Sequence, residues 1–278
     1  MAESVAHQQA FGDLAALWRS DALGEAAADL EQTKPVRRRR AIPWNLIVPA
    51  GMATALTLCV VAYAPLGQYR AFETARGQIR TVVLADGSTV RLNGSARIQV
   101  SQGLLGRSVS LEQGEAYFDV RHDGRPFSVT TSAGEVGVLG TAFNVDRLAS
   151  GRTEVSVYRG AVRFGPRHRP ALDLRPGDRA TLEYGRLSRT TGASAGARPD
   201  WFDGWFDADD ASLGQLIEEA DRFSSRPIAI DAAAARIRVS GRFNVARSED
   251  VLELIKAAYG VRISEQSDRI LISRHDPQ

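Results

Sequence analysis

The longest apolar segment of the chain lies near the N-terminus and is bounded by charged residues. No charged residue occurs between Arg40 and Arg70, and the run from Trp44 to Ala64 is almost entirely apolar. A helix of about 20 residues is long enough to cross the hydrocarbon core of a bilayer. The pattern therefore predicts one transmembrane helix over residues 43–65.

Basic residues on one side of this segment predict its orientation. Arg37–Arg40 directly precede it, and Lys34 stands just before them. Because basic flanking residues stay in the cytoplasm, we expect residues 1–40 to be cytoplasmic and the larger C-terminal body to lie outside. The expected protein is a single-pass membrane protein whose apolar helix contacts lipid.

Other interpretations of this segment fit the sequence less well. Residues 62–64 resemble a signal-peptide cleavage site, but Pro65 follows them and a long polar stretch precedes the apolar run. A lipoprotein site at Cys59 would need a small residue where Leu58 stands. A buried core helix is the remaining alternative to a membrane span.

Apolar side chains also recur at helical spacing in the N-terminal arm. Phe11, Leu14, Leu17 and Trp18 form one stripe along a predicted helix. The arm is too short to bury this stripe within itself, so the stripe packs against a partner protein or lies on the membrane. We favour a partner, because the stripe is not strongly basic as a membrane-surface helix would be.

Short alternations of apolar and polar residues follow the apolar segment. They occur at 78–84 and 97–100, and turn pairs such as Asp86-Gly87 separate them. Short strands with glycine-containing turns predict an all-β sandwich or barrel over residues 70–187.

The C-terminal part has a different pattern. Residues 188–199 are small and polar, as in a linker. Over residues 200–275, strand-like and helix-like segments alternate, which predicts a small α+β domain with the order β-α-β-β-α-β. Its first strand is predicted at 201–206, and its helices at about 212–223 and 248–259.

Four residues mark the predicted helix ends in this domain. Asp210 and Arg247-Ser248 stand where N-caps are expected, and Gly260 follows the second helix.

Composition narrows the classes of function. Residues 65–278 hold 29 basic and 27 acidic residues with no basic stripe, which argues against nucleic-acid binding. The single cysteine, Cys59, lies in the apolar segment, so the outer body has no thiol for a disulfide or a metal site. The four histidines are scattered, and we expect neither a metal nor a cofactor.

Two motif matches are better explained by structure than by chemistry. Residues 192–196 match G-x-S-x-G, but their small polar surroundings predict a linker rather than a hydrolase elbow. Asp207, Asp209 and Glu218 fall at calcium-loop positions, but the glycine that such a loop needs is missing, so we interpret them as helix-capping positions. We therefore do not expect a metabolic enzyme.

One dipeptide in the β region could carry chemistry of its own. Gly140-Thr141 interrupts a strand-like run over residues 135–145. A threonine hydroxyl after a strained glycine can attack the preceding carbonyl carbon and convert the peptide bond into an ester, which water then splits. A glycine bulge beside a structural threonine is the simpler interpretation.

Several segments together resemble the FecR family of membrane-spanning anti-sigma regulators. The resembling segments include 74–77 (TARG), 84–88 (LADGS), 111–120 (LEQGEAYFDV), 138–145 (VLGTAFNV) and 157–160 (VYRG). The tail from Trp201, with SGRF at 240–243, is similar to the short N-terminal domain shared by secretins and TonB-dependent transducers.

This resemblance implies a function that residue spacing does not show. The arm, with Leu14, Leu17 and Trp18, would bind an extracytoplasmic-function sigma factor in the cytoplasm. The body, in the periplasm, would sense a TonB-dependent outer-membrane transducer loaded with its ligand, often an iron carrier. The protein would lie in the inner membrane, and some family members cleave themselves at the dipeptide that is Gly140-Thr141 here.

The resemblance has one departure, and other classes of function compete with it. Family members have a longer cytoplasmic domain with further tryptophans, so this arm looks like the latter half of that domain. The alternatives are a structural envelope protein with a secretin-like tail and a protein whose self-cleavage is the whole signal.

Two aromatic pairs lie at the start of the C-terminal domain. We expect them to contact the transducer, because aromatic residues are enriched at interface cores. These residues are Trp201, Phe202, Trp205 and Phe206. The competing interpretation is that they cover the domain's own helices.

Overall fold

The computed structural model describes residues 68–103, 106–191 and 198–274, and all of them belong to one compact unit. The N-terminal arm with its apolar stripe, the predicted membrane helix and the G-x-S-x-G match lie outside the described residues. Within the described ranges, no helix is long and apolar enough to span a membrane.

Residues 68–190 form a domain of β-strands, hereafter the β domain. Along β4, for example, Ile98 and Val100 are buried while Arg97 and Gln99 are exposed, which is the period of two that a strand imposes. The strands of the described part are β1 (Gln68–Glu73), β2 (Arg80–Val83), β3 (Thr89–Leu92), β4 (Arg97–Gln102), β5 (Arg107–Asp119), β6 (Phe127–Thr130), β7 (Glu135–Val138), β8 (Ala142–Arg147), β9 (Thr153–Arg159), β10 (Val162–Gly165), β11 (Leu172–Leu174), β12 (Arg179–Glu183) and β13 (Arg186–Thr190).

The long strand β5 joins two faces of the sheet. Its first half pairs with β4 and β6, and its second half pairs with β3 and β8. Gly114 lies between the halves with φ +77°, a conformation that favours glycine. The main path of the sheet is β11-β10-β7-β6-β5-β8-β9-β12-β13, while β1 pairs with β4 and β2 with β3.

Both faces cover one apolar core. Strand β5 supplies Val109 and Leu111 from its first half, and Ala116 and Phe118 from its second half. Phe118 stacks on Phe143 of β8 with ring centroids 5.1 Å apart. The prediction that residues 70–187 form an all-β domain is therefore confirmed. Because β5 takes part in both faces, a single sheet encloses the core.

Residues 198–274 form a smaller C-terminal lobe with its own core. The lobe begins with a 3-10 helix, Asp200–Asp203. Its other elements are β14 (Trp205–Ser212), α1 (Leu213–Asp221), β15 (Ile228–Ile230), α2 (Ala232–Ala235), β16 (Arg238–Asn244), α3 (Ser248–Tyr259), β17 (Val261–Glu265) and β18 (Ile270–Arg274). Strand β14 pairs with β16, whereas β15, β18 and β17 form a separate three-stranded sheet in that order.

The start of the lobe differs from the prediction. The first strand begins at Trp205 rather than at residue 201, because the preceding residues coil into the 3-10 helix, which ends at Gly204 with φ +76°. Helix α1 is capped by Ser212, whose side chain forms a capping box with Gln215. The predicted cap, Asp210, lies instead at a bulge of β14.

Charged residues of β14 are accordingly not helix caps. Asp210 has φ +50° and forms a salt bridge with Arg238 on the neighbouring strand. Asp207 and Asp209 are exposed on β14. At α3, by contrast, Arg247 occupies the N-cap position and Gly260 ends the helix in the left-handed conformation, as expected.

The order of elements is also corrected. The helix α2, capped by Asp231, was not predicted, because four consecutive alanines show no amphipathic period. The observed order is thus β-α-β-α-β-α-β-β, not β-α-β-β-α-β, and its strands form two separate sheets. Strand β13 extends to Thr190, so residues 188–190 of the predicted linker are part of the sheet.

Candidate functional site

Charged side chains from both parts of the chain meet in a buried cluster, hereafter the joint. Arg222, just after α1, donates hydrogen bonds to Glu115 on β5 and to Asp146 on β8, the latter at 2.6 Å. Glu219 of α1 lies 3.4 Å from the same guanidinium group. The Arg222 side chain is only 6% exposed. Because a buried charge is costly unless it is paired, these contacts fix the C-terminal lobe on the β domain.

Two amides complete the surroundings of Glu115. Asn93 donates from Nδ2 to one carboxylate oxygen at 2.8 Å, and Asn144 donates from Nδ2 to the other at 2.7 Å. With Arg222, three donors therefore point at one carboxylate. Such donors favour the ionised form and oppose the effect of burial.

Burial nevertheless raises the pKa of the two glutamates in the joint. The pKa of Glu115 rises to about 7, because desolvation outweighs the attraction of Arg222 and the two amide hydrogen bonds. Burial also raises the pKa of Glu219 well above its ordinary value of 4.5. The attraction of Arg222, which lies 3.4 Å away, lowers this pKa but does not offset the effect of burial. Burial in the joint therefore favours the protonated form of both glutamates more than an exposed position would.

The same carboxylates have a spacing that a metal ion could use. Oxygens of Glu115, Asp146 and Glu219 all lie within 4.8 Å of one another. The Arg222 guanidinium group already lies among them and forms charge-assisted hydrogen bonds with two of them. We therefore assign this cluster to an arginine-centred ion-pair network rather than to a metal centre.

Aromatic residues extend the joint along the start of the C-terminal lobe. Trp201 is buried, and its Nε1 donates to Oδ1 of Asn144 at 3.3 Å. Phe202 packs edge-on against Tyr117 of β5, with ring centroids 5.1 Å apart, and lies under the Arg91 guanidinium at 4.0 Å. The first predicted partner-binding pair therefore packs against the chain's own β domain.

The second aromatic pair is less enclosed. Trp205 and Phe206 are half-buried on β14. Arg242 lies 5.0 Å from the Trp205 ring, and Phe206 packs against the core of the C-terminal lobe. A role in partner binding stays a prediction for this pair, whereas Trp201 is covered in the described arrangement.

The Gly140-Thr141 peptide lies between β7 and β8. Thr141 is buried, and its hydroxyl donates to the carbonyl of Ala161 at 2.9 Å. Gly160, with φ +82°, passes so close that a Cβ would lie 2.8 Å from Thr141 Oγ1 and 2.9 Å from the Gly140 carbonyl oxygen. The carbonyl of Ala161 can orient the hydroxyl but cannot take up its proton.

The other side of this peptide borders an open cleft of about 470 Å³. A Cβ on Gly140 would lie 2.6 Å from the Cβ of His122, so glycine is required here for space. Its φ is not in the left-handed region, so the backbone angle expected from the sequence is not found. Charged and titratable side chains line the cleft: Asp119, Arg121, His122 and Arg159. The cleft thus brings water to the Gly140 side of the peptide, while Thr141 stays buried.

Sequence reasoning missed the joint, although one signal was available. The last turn of α1 contains three acidic residues, Glu218, Glu219 and Asp221, and no basic one. Acids at a helix C-terminus are disfavoured by the helix dipole, so each of them needs a partner. The partners lie on other elements and are remote in sequence, as the separation of 107 positions between Glu115 and Arg222 illustrates.

Solved structures resemble the chain over most of its length. Two crystal structures of a candidate anti-sigma factor from Parabacteroides distasonis, at 2.50 and 1.65 Å resolution, superpose with TM-scores of 0.66 and 0.65. Each is 24% identical in sequence to this chain. The superpositions cover 75% and 74% of this chain, respectively, and the whole of each solved chain. At this identity, the likeness shows the fold.

Comparison with protein families is more specific. No curated protein matches the chain. Residues 70–163, which span β1 to β10, match the family model described as FecR protein. The chain therefore carries a FecR domain within its β domain, as the resemblance of its sequence predicted.

Proposed function

We propose that this protein is an anti-sigma regulator that spans the inner membrane and relays a signal from the periplasm to an extracytoplasmic-function sigma factor. The observation that carries the proposal is the FecR match over residues 70–163. The fold shared with a candidate anti-sigma factor over 75% of the chain supports it further. The apolar segment at 43–65 and the basic residues before it supply the membrane crossing that such a relay needs.

The cytoplasmic end of the proposed relay is the N-terminal arm. Its stripe of Phe11, Leu14, Leu17 and Trp18 offers the apolar face that a sigma factor would cover. The decisive experiment is affinity purification of the tagged full chain from its own host, followed by mass spectrometry of the bound proteins. A sigma factor that is enriched over a chain lacking residues 1–40 supports the proposal, and its absence from both samples contradicts it.

The periplasmic end of the relay is the C-terminal lobe, with a TonB-dependent transducer as its partner. Strand addition to a sheet edge is one way in which such domains associate. In the described three-stranded sheet, β15 and β17 are the two edges. The backbone N–H of Ile228 on β15 already donates to the Asp221 carboxylate at 2.7 Å. The edge strand β17 is therefore the better site for the transducer.

A further inference from the structure

The two parts of the described chain have separate apolar cores. One core belongs to the β domain, and the other is formed by α1, α3 and the strands of the C-terminal lobe. Between the cores lies the joint, whose central contacts are ionic and amide hydrogen bonds rather than apolar packing. Each part can therefore keep its core when the joint opens.

Backbone contacts reinforce the joint at the C-terminal end of α1. The N–H of Gly77 donates to the Arg222 carbonyl at 2.8 Å, and the N–H of Ala149 donates to the Glu218 carboxylate. Gly94 packs directly against the same carbonyl, since a Cβ there would lie 2.5 Å from it. Arg222 therefore contributes to the joint with both its side chain and its backbone, and Glu218 adds a further contact.

A salt bridge at the rim adds to these contacts. Arg76 pairs with Asp221 at 2.8 Å, and about a third of each side chain is exposed. Unlike the central network, this pair stays hydrated and adds little. The strength of the joint thus rests on the buried network and on the aromatic contacts of Trp201 and Phe202 beside it.

We propose that the joint is a releasable latch: the C-terminal lobe undocks from the β domain as a unit when the Arg222 network opens, and both cores stay folded. A buried ion-pair network suits this role because its desolvation penalty offsets much of its attraction, so that opening it restores hydration to every charged member. Apolar packing offers no such compensation. The latch connects the lobe that would receive a signal with the domain that carries the FecR motif.

The charge balance of the joint makes its closure dependent on protons. Glu115 faces Arg222 and Glu219 from α1, Asp146 from β8, the neutral amides of Asn93 and Asn144, and Tyr158 from β9. These are three carboxylates and one guanidinium group, which leaves excess negative charge unless a proton is bound.

The direction of the pH effect follows from linkage. The closed joint raises the pKa of Glu115 from 4.5 to about 7, so closure binds a proton between these values. Below pH 4.5 Glu115 is protonated in both the open and the closed joint, so closure costs no proton uptake. As the pH rises from 4.5 towards 7, closure must bind a proton and becomes less favourable. Burial also raises the pKa of Glu219, which therefore weakens closure in the same direction as the pH rises. The latch should therefore close more tightly in acid than at neutral pH.

The amides of Gly77 and Ala149 report directly on the latch, because both donate across it. We propose hydrogen–deuterium exchange on the full chain in detergent, comparing the parent with Gly94→Ala, Arg222→Met and Glu219→Gln. Gly137→Ala is the control, because a Cβ there meets nothing within 4 Å. Exchange is corrected for the intrinsic pH dependence of amide chemistry.

The latch predicts a specific pattern of exchange. In Gly94→Ala and Arg222→Met, both reporter amides exchange at least about tenfold faster, while amides of β5, β8 and α3 stay protected. In the parent, the reporters exchange faster at pH 8 than at pH 5.5, and Glu219→Gln reduces this difference. The control variant behaves as the parent.

Two outcomes would overturn the proposal. The reporters and both cores could lose protection together, which would make the joint part of one cooperative unit. Alternatively, the reporters could keep parental protection in Gly94→Ala, where no charge is removed and the fold is least disturbed. The inference rests on the proposed function only for its biological purpose. The exchange measurement needs no sigma factor or transducer, so failure of the latch and failure of the relay are distinguishable.

Discussion

Asn144 links Trp201 to Glu115 through a single side-chain amide. Its oxygen accepts a hydrogen bond from Trp201 Nε1 at 3.3 Å, and its nitrogen donates to Glu115 at 2.7 Å. Since one amide end must accept and the other must donate, the orientation of Asn144 is fixed by its two partners. The aromatic start of the C-terminal lobe and the ionic joint are thus one connected network.

This connection predicts unequal effects for the two tryptophans of the lobe. Trp201→Ala leaves a cavity and an unsatisfied Asn144 oxygen, so we expect the free energy of unfolding to fall by about 3 kcal/mol or more. Trp205→Ala should lower the free energy of unfolding by clearly less, because Trp205 is only half-buried. Urea titration followed by circular dichroism measures both. Equal losses in the two variants would contradict the assignment of Trp201 to the joint.

A second buried arginine stabilises the β domain itself. The Arg107 side chain has no exposed area, and it donates to Asp86 at 2.6 Å and to the carbonyls of Arg121 and Arg125. Arg107→Met removes this partner from a buried carboxylate, which typically costs about 3–5 kcal/mol. The loss is measured by chemical denaturation, with Arg163→Met on the exposed face of β10 as the control.

The same pair gives a pH dependence with a defined sign. Burial alone would raise the pKa of Asp86, but hydrogen bonds from Ser88 and Arg107 outweigh it and lower the pKa below 3.8. A lowered pKa contributes stability above the ordinary value, and this contribution is lost as the pH falls through the folded value. We expect Arg107→Met to lose less stability than the parent as the pH falls below 3.8. A steeper loss of stability with falling pH in the variant than in the parent would refute this account of Asp86.

Local patterns predicted the elements better than the contacts between them. The period of two located strands β2 and β4 of the β domain, and helical spacing located α1 and α3. The buried charges could not be predicted in the same way, since Glu115 and Arg222 become neighbours only when α1 docks. The error at Asp210 has a local cause: both Asp210 and Ser212 are good capping residues, and only the β14 bulge decides between them.

Self-cleavage at Gly140-Thr141 remains a prediction with a clear biochemical test. Thr141→Val keeps the shape of the side chain but removes the hydroxyl nucleophile, whereas Thr141→Ser keeps a hydroxyl. If the Thr141 hydroxyl cleaves the chain, denaturing gels will show fragments 1–140 and 141–278 for the parent and for Thr141→Ser, but only the intact chain for Thr141→Val; an intact parent supports the simpler interpretation of a structural threonine. Equal cleavage in all three chains would exclude the threonine as the nucleophile.

Denaturation is essential in this test. Strand β7 precedes the peptide and pairs with β10, which follows it. The two fragments would therefore stay joined by backbone hydrogen bonds in the folded domain. Size-exclusion chromatography under native conditions should show one species even after complete cleavage.

The apolar stripe of the arm should determine sigma-factor binding. Truncating Leu14 and Trp18 together to alanine removes two neighbouring anchors, and one buried aromatic anchor alone is often worth about 2 kcal/mol or more. We expect at least a roughly thirtyfold weaker interaction in a pull-down titration with the sigma factor, at unchanged membrane insertion. Parental affinity in the double variant would mean that the stripe has another role.

The edge strand β17 allows a test of transducer binding that leaves the lobe folded. The N–H of Gln266 donates to the carbonyl of Arg269 at 2.8 Å, and hydrogen-bonded positions alternate along an antiparallel pair. The N–H of Glu265 therefore points away from β18, towards an added strand. Glu265→Pro removes this donor and places a proline ring at the edge, a position where a folded sheet tolerates proline.

A matched variant separates the backbone from the side chain. Glu265 also forms an exposed salt bridge with Arg226, which contributes little to stability. Glu265→Ala removes this bridge and keeps the N–H. In a titration of the full chain with the transducer's periplasmic signalling domain, we expect Glu265→Pro to bind about fivefold more weakly, which corresponds to the loss of one hydrogen bond of about 1 kcal/mol. Glu265→Ala should bind as the parent does. Equal binding by all three chains would mean that the transducer uses a surface other than the β17 edge.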